Sequence, residues 1–118
     1  MTSPADGIEV DDVPAESRFV VHGSGGSAEL EYQRNGKRIV LIHTEVPDAW
    51  EGRGVGGQLV RAALRRAQAE GLTVVPWCPF ARHWLQTHEA EAASVTIDWD
   101  TPRPPKPTNS SGQGGVAL

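Results

Sequence analysis

Four glycines in six residues, Gly52-Arg53-Gly54-Val55-Gly56-Gly57, join a strand-like apolar segment to an amphipathic helix. The segment before them ends His43-Thr44-Glu45-Val46-Pro47. A strand, a glycine loop and a helix in succession restrict the fold to the α/β class. A glycine in ordered structure costs roughly 0.5–1 kcal/mol relative to alanine, and one would suffice for a tight turn. Four together point to a backbone that must approach a ligand closely. The start of a helix adds unpaired N–H groups and the positive end of the dipole. That combination suits a phosphate or pyrophosphate.

The pattern on either side fills in the rest of the sheet. Arg18–His22 is a short β-type run, stopped by Gly23-Ser24-Gly25-Gly26. Ala28, Leu30 and Tyr32 alternate with Glu29, Glu31 and Gln33, as in a half-buried strand. Asn35-Gly36 marks a hairpin turn. Arg38–Val46 carries Ile39, Val40, Leu41 and Ile42 in a row, as a central strand covered on both faces would. The helix is expected from about Gly54 to Glu70, with Val55, Leu59, Val60, Ala63, Leu64 and Ala67 inward and Gly71 as its stop. Thr73–Trp77 reads as a strand, Phe80–His88 as a short helix with Phe80, Trp84 and Leu85 inward, and Val95–Trp99 as a last strand. The expected order is β-β-β-α-β-α-β around a mixed, mostly antiparallel sheet.

The ends differ from this middle. Residues 1–17 hold five acids and few apolar groups, and residues 101–118 are rich in Pro, Gly and Ser. Both are expected to be disordered, since such compositions bury too little to offset the entropy of ordering. The folded domain is placed at 18–100. The net charge of −4 is carried by the acidic leader, so the domain itself is nearly neutral. It lacks the broad positive surface of a nucleic-acid binder, and no metal site is expected. The one cysteine, Cys78, excludes an internal disulfide and fits a reducing compartment. No apolar run approaches the roughly 20 residues of a membrane span, and no signal peptide is evident. A cytoplasmic location is the default expectation.

Residues 52–57 also satisfy the dinucleotide pattern G-x-G-x-x-G. In that fold the strand turns into the glycines almost at once, whereas Pro47–Glu51 intervene here. The next strand should end in an acid for the ribose, but this one ends Pro76-Trp77-Cys78. A Walker-type loop requires a Gly-Lys-Ser/Thr that is absent. A ligand-free turn and a different phosphorylated cofactor remain, and the glycine count favours the cofactor.

A central strand, a short loop and x-x-Gly-x-Gly at the head of a helix resemble motif A of the GNAT N-acetyltransferases. Four stretches in order resemble a small subfamily of minimal GNAT domains. They are His43-Thr44-Glu45-Val46-Pro47, Glu51-Gly52-Arg53-Gly54-Val55-Gly56-Gly57, Val75-Pro76-Trp77-Cys78-Pro79-Phe80 and Trp84-Leu85-x-x-His88. The resemblance implies a minimal GNAT-like fold with a splayed strand pair, acetyl-CoA as cosubstrate and an amine acceptor on a protein lysine or a small molecule. It implies that the amides of Arg53, Gly54, Val55, Gly56 and Gly57 hold the pyrophosphate, and that Thr44 and Val46 pair with the pantetheine amides. Arg53, Arg61 or Arg65 would meet the 3′-phosphate; otherwise they form a solvated face.

For catalysis the resemblance favours Cys78, as transient acetyl carrier or as acid for the leaving thiolate; the alternative is a small buried apolar group. His43 and Glu45 share one strand face and are candidate bases, if that face is the cleft rather than the core. His83 and His88 read more readily as surface or capping groups. Trp50, Trp77, Trp84 and Trp99 read as core, with Trp50 also placed to border the cofactor. The chain departs from the family in having Glu51 where Arg or Gln usually stands. It has no Tyr on the Phe80–His88 helix, and it reads His88-Glu89-Ala90-Glu91 where His-Pro-Glu-Tyr is usual. A non-catalytic CoA-binding module is therefore the alternative to an acetyltransferase.

Overall fold

Four consecutive segments pair into an antiparallel meander, and two βα crossovers extend it with parallel strands. The computed structural model describes residues 9–23 and 26–103. Its strands are β1 (Asp11–Val13), β2 (Arg18–Gly23), β3 (Gly26–Asn35), β4 (Arg38–Glu45), β5 (Thr73–Pro76) and β6 (Thr96–Ile97). Its helices are α1 (Val55–Glu70), α2 (Pro79–Thr87) and α3 (Glu89–Ala92). The sheet runs β1-β2-β3-β4-β5-β6 in space, antiparallel from β1 to β4 and parallel from β4 to β6. The expected mixed sheet is present, with one strand added in front and the four-residue α3 after α2.

The core lies between α1 and one face of the sheet. Leu59, Val60, Ala63, Leu64 and Ala67 of α1 join Phe19, Leu30, Ile39 and Leu41 in a single buried cluster. By strand alternation Val20 and Val40 belong to the opposite face, and they too are buried. Gly71 ends α1 at φ 68 and Gly36 turns the hairpin at φ 59, both conformations in which a Cβ is costly.

The acidic segment before residue 18 is ordered in part, against the compositional expectation. β1 pairs with β2, Asp11 opposite Val20 and Val13 opposite Arg18. The reason is long-range neutralisation: the Asp12 carboxylate accepts from the Tyr32 hydroxyl at 2.8 Å and from Arg66 at 2.6 Å. Burial, then the hydrogen bond to Asp12, raises the Tyr32 pKa. At the other end, Asp98 accepts from the amides of Asp100 and Thr101, both at 3.0 Å, from the Thr101 hydroxyl at 2.6 Å and from Arg38 at 2.5 Å. These bonds fix the chain as far as the first residues of the expected tail. The leader before residue 9, Ser24-Gly25 and the tail after residue 103 lie outside the described residues.

Two irregularities in β4 create the site. Glu31 pairs with His43 but Tyr32 pairs with Leu41, so Ile42 is an extra residue, a bulge. The bulge re-aims the end of the strand: Leu41 is buried, whereas His43, two residues on, is exposed. On its other side β4 pairs with β5 only as far as Leu41 opposite Pro76. Pro76 has no N–H to continue a ladder, and the next two amides, of Trp77 and Cys78, both donate to the Leu41 carbonyl at 3.0 and 2.8 Å. From there β4 and β5 diverge, leaving that edge of residues 42–46 without a strand partner among the described residues.

Candidate active site

The divergence opens a cleft of about 690 Å³ between the end of β4, the head of α1 and the flank of α2. That is within the range of small-molecule sites. Between strand and helix, the Glu51 amide donates to the Asp48 carbonyl and the Arg53 amide to the Trp50 carbonyl, at 3.2 and 3.3 Å. Gly52 and Gly54 take φ of 81 and 77, which turn the chain into α1. Gly54 is its N-cap, and no side chain caps it. The first internal bond of the helix runs from the Gln58 amide to the Gly54 carbonyl at 3.1 Å. The amides of Gly54, Val55, Gly56 and Gly57 thus have no acceptor among the described residues, and all four residues line the cleft. The Arg53 amide, expected to be one of this set, is already engaged by Trp50, and Arg53 does not line the cleft.

The four glycines divide into two kinds. Gly52 and Gly54 supply backbone angles, with open space where a Cβ would be. Gly56 and Gly57 supply room. A Cβ on Gly56 would lie 2.6 Å from the Phe80 ring, and one on Gly57 would lie 2.7 Å from Trp84 Nε1. Phe80, expected inward, is instead 44 % exposed, because it caps the cleft over Gly56. Trp50 packs on Gly23, where a Cβ would sit 2.7 Å from its ring, and its edge borders the cleft.

His43, Thr44, Glu45 and Val46 all line the cleft. His43 and Glu45 are therefore on the open face: their side chains are 57 % and 74 % exposed, with His43 Nε2 4.0 Å from Glu45 Oε2. Cys78 is 2 % exposed and does not itself line the cleft. Its Sγ lies 3.1 Å from Oγ1 of Thr44, a residue that does line the cleft.

Arg61 lines the cleft but is held by Glu91 through two bonds, 2.6 and 3.0 Å long. The hydrogen bond from Arg61 lowers the Glu91 pKa. The Arg61 guanidinium also lies 5.1 Å from the Trp84 ring centroid. Arg65 is exposed. Trp77 donates to the Thr101 carbonyl, Trp99 lies under Arg82, and His83 faces solvent; none of the three lines the cleft. His88 does, although its sequence context suggests only a surface or capping group. The signal that points to it is the i, i+4, i+8 spacing of Phe80, Trp84 and His88, but spacing alone does not say which way that stripe faces. Among the described residues there is no cluster of three metal-ligating side chains and no helix long and apolar enough to cross a membrane.

The arrangement presents open amides and a helix dipole for an anion beside an unpaired strand edge for a chain of amides. Residues 18–95 match the family model described as GCN5-related N-acetyl-transferase. The chain is 38 % identical to Protein NATD1 of Gallus gallus over 82 residues, 67 % of this chain and 74 % of that protein. It is 40 % identical to Protein NATD1 of Homo sapiens over 67 residues, 56 % of this chain and 59 % of that protein. The NMR solution structure of a GCN5-like putative N-acetyltransferase from Staphylococcus aureus superposes with a TM-score of 0.61 at 25 % identity, covering 78 % of this chain and 91 % of that one. With the family model spanning most of the folded domain, the chain belongs to the GCN5-related N-acetyltransferase family.

Proposed function

We propose that this protein transfers the acetyl group of acetyl-CoA to a primary amine. The observation that carries the reading is the set of four open amides, Gly54 to Gly57, at the head of α1, on residues that line the cleft. They receive the pyrophosphate. The pantetheine then runs along the free edge of Thr44 and Val46, pairing its amides with the backbone there, and delivers the thioester to the fork where β4 and β5 part.

The amine nitrogen attacks the thioester carbonyl, loses a proton, and the thiolate of CoA leaves. Holding the two reactants together removes about 7–11 kcal/mol of the barrier. A general base contributes about 10²–10⁴-fold, or roughly 3–5 kcal/mol. Positioning is thus the larger effect, and the fork provides it. His43 and Glu45, exposed on the open face of β4, are placed to take the proton directly or through water. The proton for the leaving thiolate comes from Cys78 through the hydroxyl of Thr44, which contacts the thiol and belongs to a residue lining the cleft.

Two observations favour a second reading, a CoA-binding module without useful turnover: Cys78 is buried and α2 carries no Tyr. Calorimetry with CoA, then thiol release from acetyl-CoA with a panel of primary amines, separates the readings. Binding with amine-dependent thiol release is expected. Binding without release would leave the module, and no binding at millimolar CoA would remove both.

A further inference from the structure

The cleft continues past the amides of α1. Phe80, Trp84 and His88 form one stripe along α2, and all three line the cleft. Phe80 lies over Gly56 and Trp84 over Gly57, so His88 carries the stripe one turn further from the fork.

The His88 ring is held in one orientation. It stacks on Trp84 with centroids 3.9 Å apart and planes 7° from parallel. Its Nδ1 is 2.8 Å from the Trp84 carbonyl oxygen. A carbonyl only accepts, so Nδ1 carries the proton. Nε2 has no partner among the described residues. The charged groups around it come from two elements. Arg61 on α1 sits over the same tryptophan, and Arg65 stands a turn further on, exposed. Glu91 on α3 is engaged at both oxygens by Arg61 and also lies within electrostatic reach of His88. Glu89, at the start of α3, is exposed.

An imidazole edge fixed by stacking, beside a cation and past a pyrophosphate site, suits a second phosphate group. We propose that His88 Nε2 contacts the 3′-phosphate of the CoA nucleotide, so that the chain distinguishes CoA from 3′-dephospho-CoA; this rests on the acetyl-CoA reading above. A phosphomonoester carries close to two negative charges near neutrality. In the contact proposed, Nδ1 donates to the Trp84 carbonyl and Nε2 donates to the phosphate. Arg61 is the neighbouring charge.

The test is calorimetry of the full chain with CoA and with 3′-dephospho-CoA, for the native protein and for His88→Phe. Phenylalanine keeps a ring on Trp84 and removes Nε2. Native protein is expected to bind CoA at least tenfold more tightly than the dephospho form. In the variant the ratio should fall to within twofold, with affinity for dephospho-CoA unchanged. A native ratio within twofold would overturn the proposal without any variant. So would a variant that weakens both ligands equally, since that is the mark of a packing role. Should the variant not fold, ¹⁵N spectra of the native histidines decide: a His88 Nε2 signal that responds alike to both ligands overturns it. Loss of both ligands in the native protein would sink the cofactor reading itself, whereas equal binding of both sinks only this one.

Discussion

Trp84 Nε1 lies where the Cβ of any residue but glycine would project from position 57, at 2.7 Å. The tryptophan has nowhere to retreat, since His88 stacks on it and the Arg61 guanidinium lies over its ring. Gly57→Ala is therefore expected to lose about 1–3 kcal/mol, the usual cost of overpacking. Gly56→Ala makes an equally short contact with Phe80, but that ring is exposed and can swing outward. Thermal melts should place Gly57→Ala several degrees below Gly56→Ala; the reverse order would mean that the ring stack is not rigid.

Gly54 tests the other kind of glycine. Nothing lies within 4 Å of its would-be Cβ, but its φ is 77. Alanine there incurs the left-handed penalty, about 1–2 kcal/mol, while asparagine, which tolerates this region, loses less. Gly54→Glu adds a carboxylate beside the open amides and is expected to abolish CoA binding by charge repulsion. Calorimetry showing unchanged CoA affinity in Gly54→Glu would place the pyrophosphate elsewhere.

The difference between these glycines marks the limit of the sequence. Spacing discloses that a glycine loop opens a helix, that Leu59 and Ala63 face inward, and that Asn35-Gly36 turns a hairpin, because each depends on residues close in the chain. It does not disclose that Gly57 makes room for Trp84, 27 positions away, or that Asp12 finds Arg66. Nor can it foresee the bulge at Ile42. Without that bulge His43 would share the buried side of Leu41, and period-2 reasoning alone gives the wrong face. Cys78 is legible as lying past a strand end, but its seclusion behind Thr44 depends on the turn that directs two amides to the Leu41 carbonyl.

Acid should loosen the far edge of the sheet. Hydrogen bonds from Thr101 and the ion pair with Arg38 hold the Asp98 carboxyl well below the usual carboxylate range. A pKa depressed on folding contributes stability above the unfolded value, near pH 4, and that contribution is lost as pH falls through the folded value. Asp98→Asn is expected to melt lower than the native protein at pH 7, with the gap narrowing below about pH 4. Denaturation curves with a constant gap from pH 7 to pH 2 would show that the Asp98 charge contributes nothing.

Thr44 Oγ1 and Cys78 Sγ, 3.1 Å apart, are the sharpest test of the chemistry. If the thiol supplies the leaving-group proton through the hydroxyl, Cys78→Ala and Thr44→Val each break the same path. Each should lower kcat by about 10²-fold, the lower end for a proton-transfer group, and leave CoA affinity within a few-fold, since the amides of α1 are untouched. The double variant should fall no further than either single one, because both remove one path. Cys78→Ser keeps a donor of similar size and should recover part of the rate. Additive losses would separate the two residues, and full turnover in Cys78→Ala would leave the cysteine as packing and pass proton delivery to solvent at the open fork.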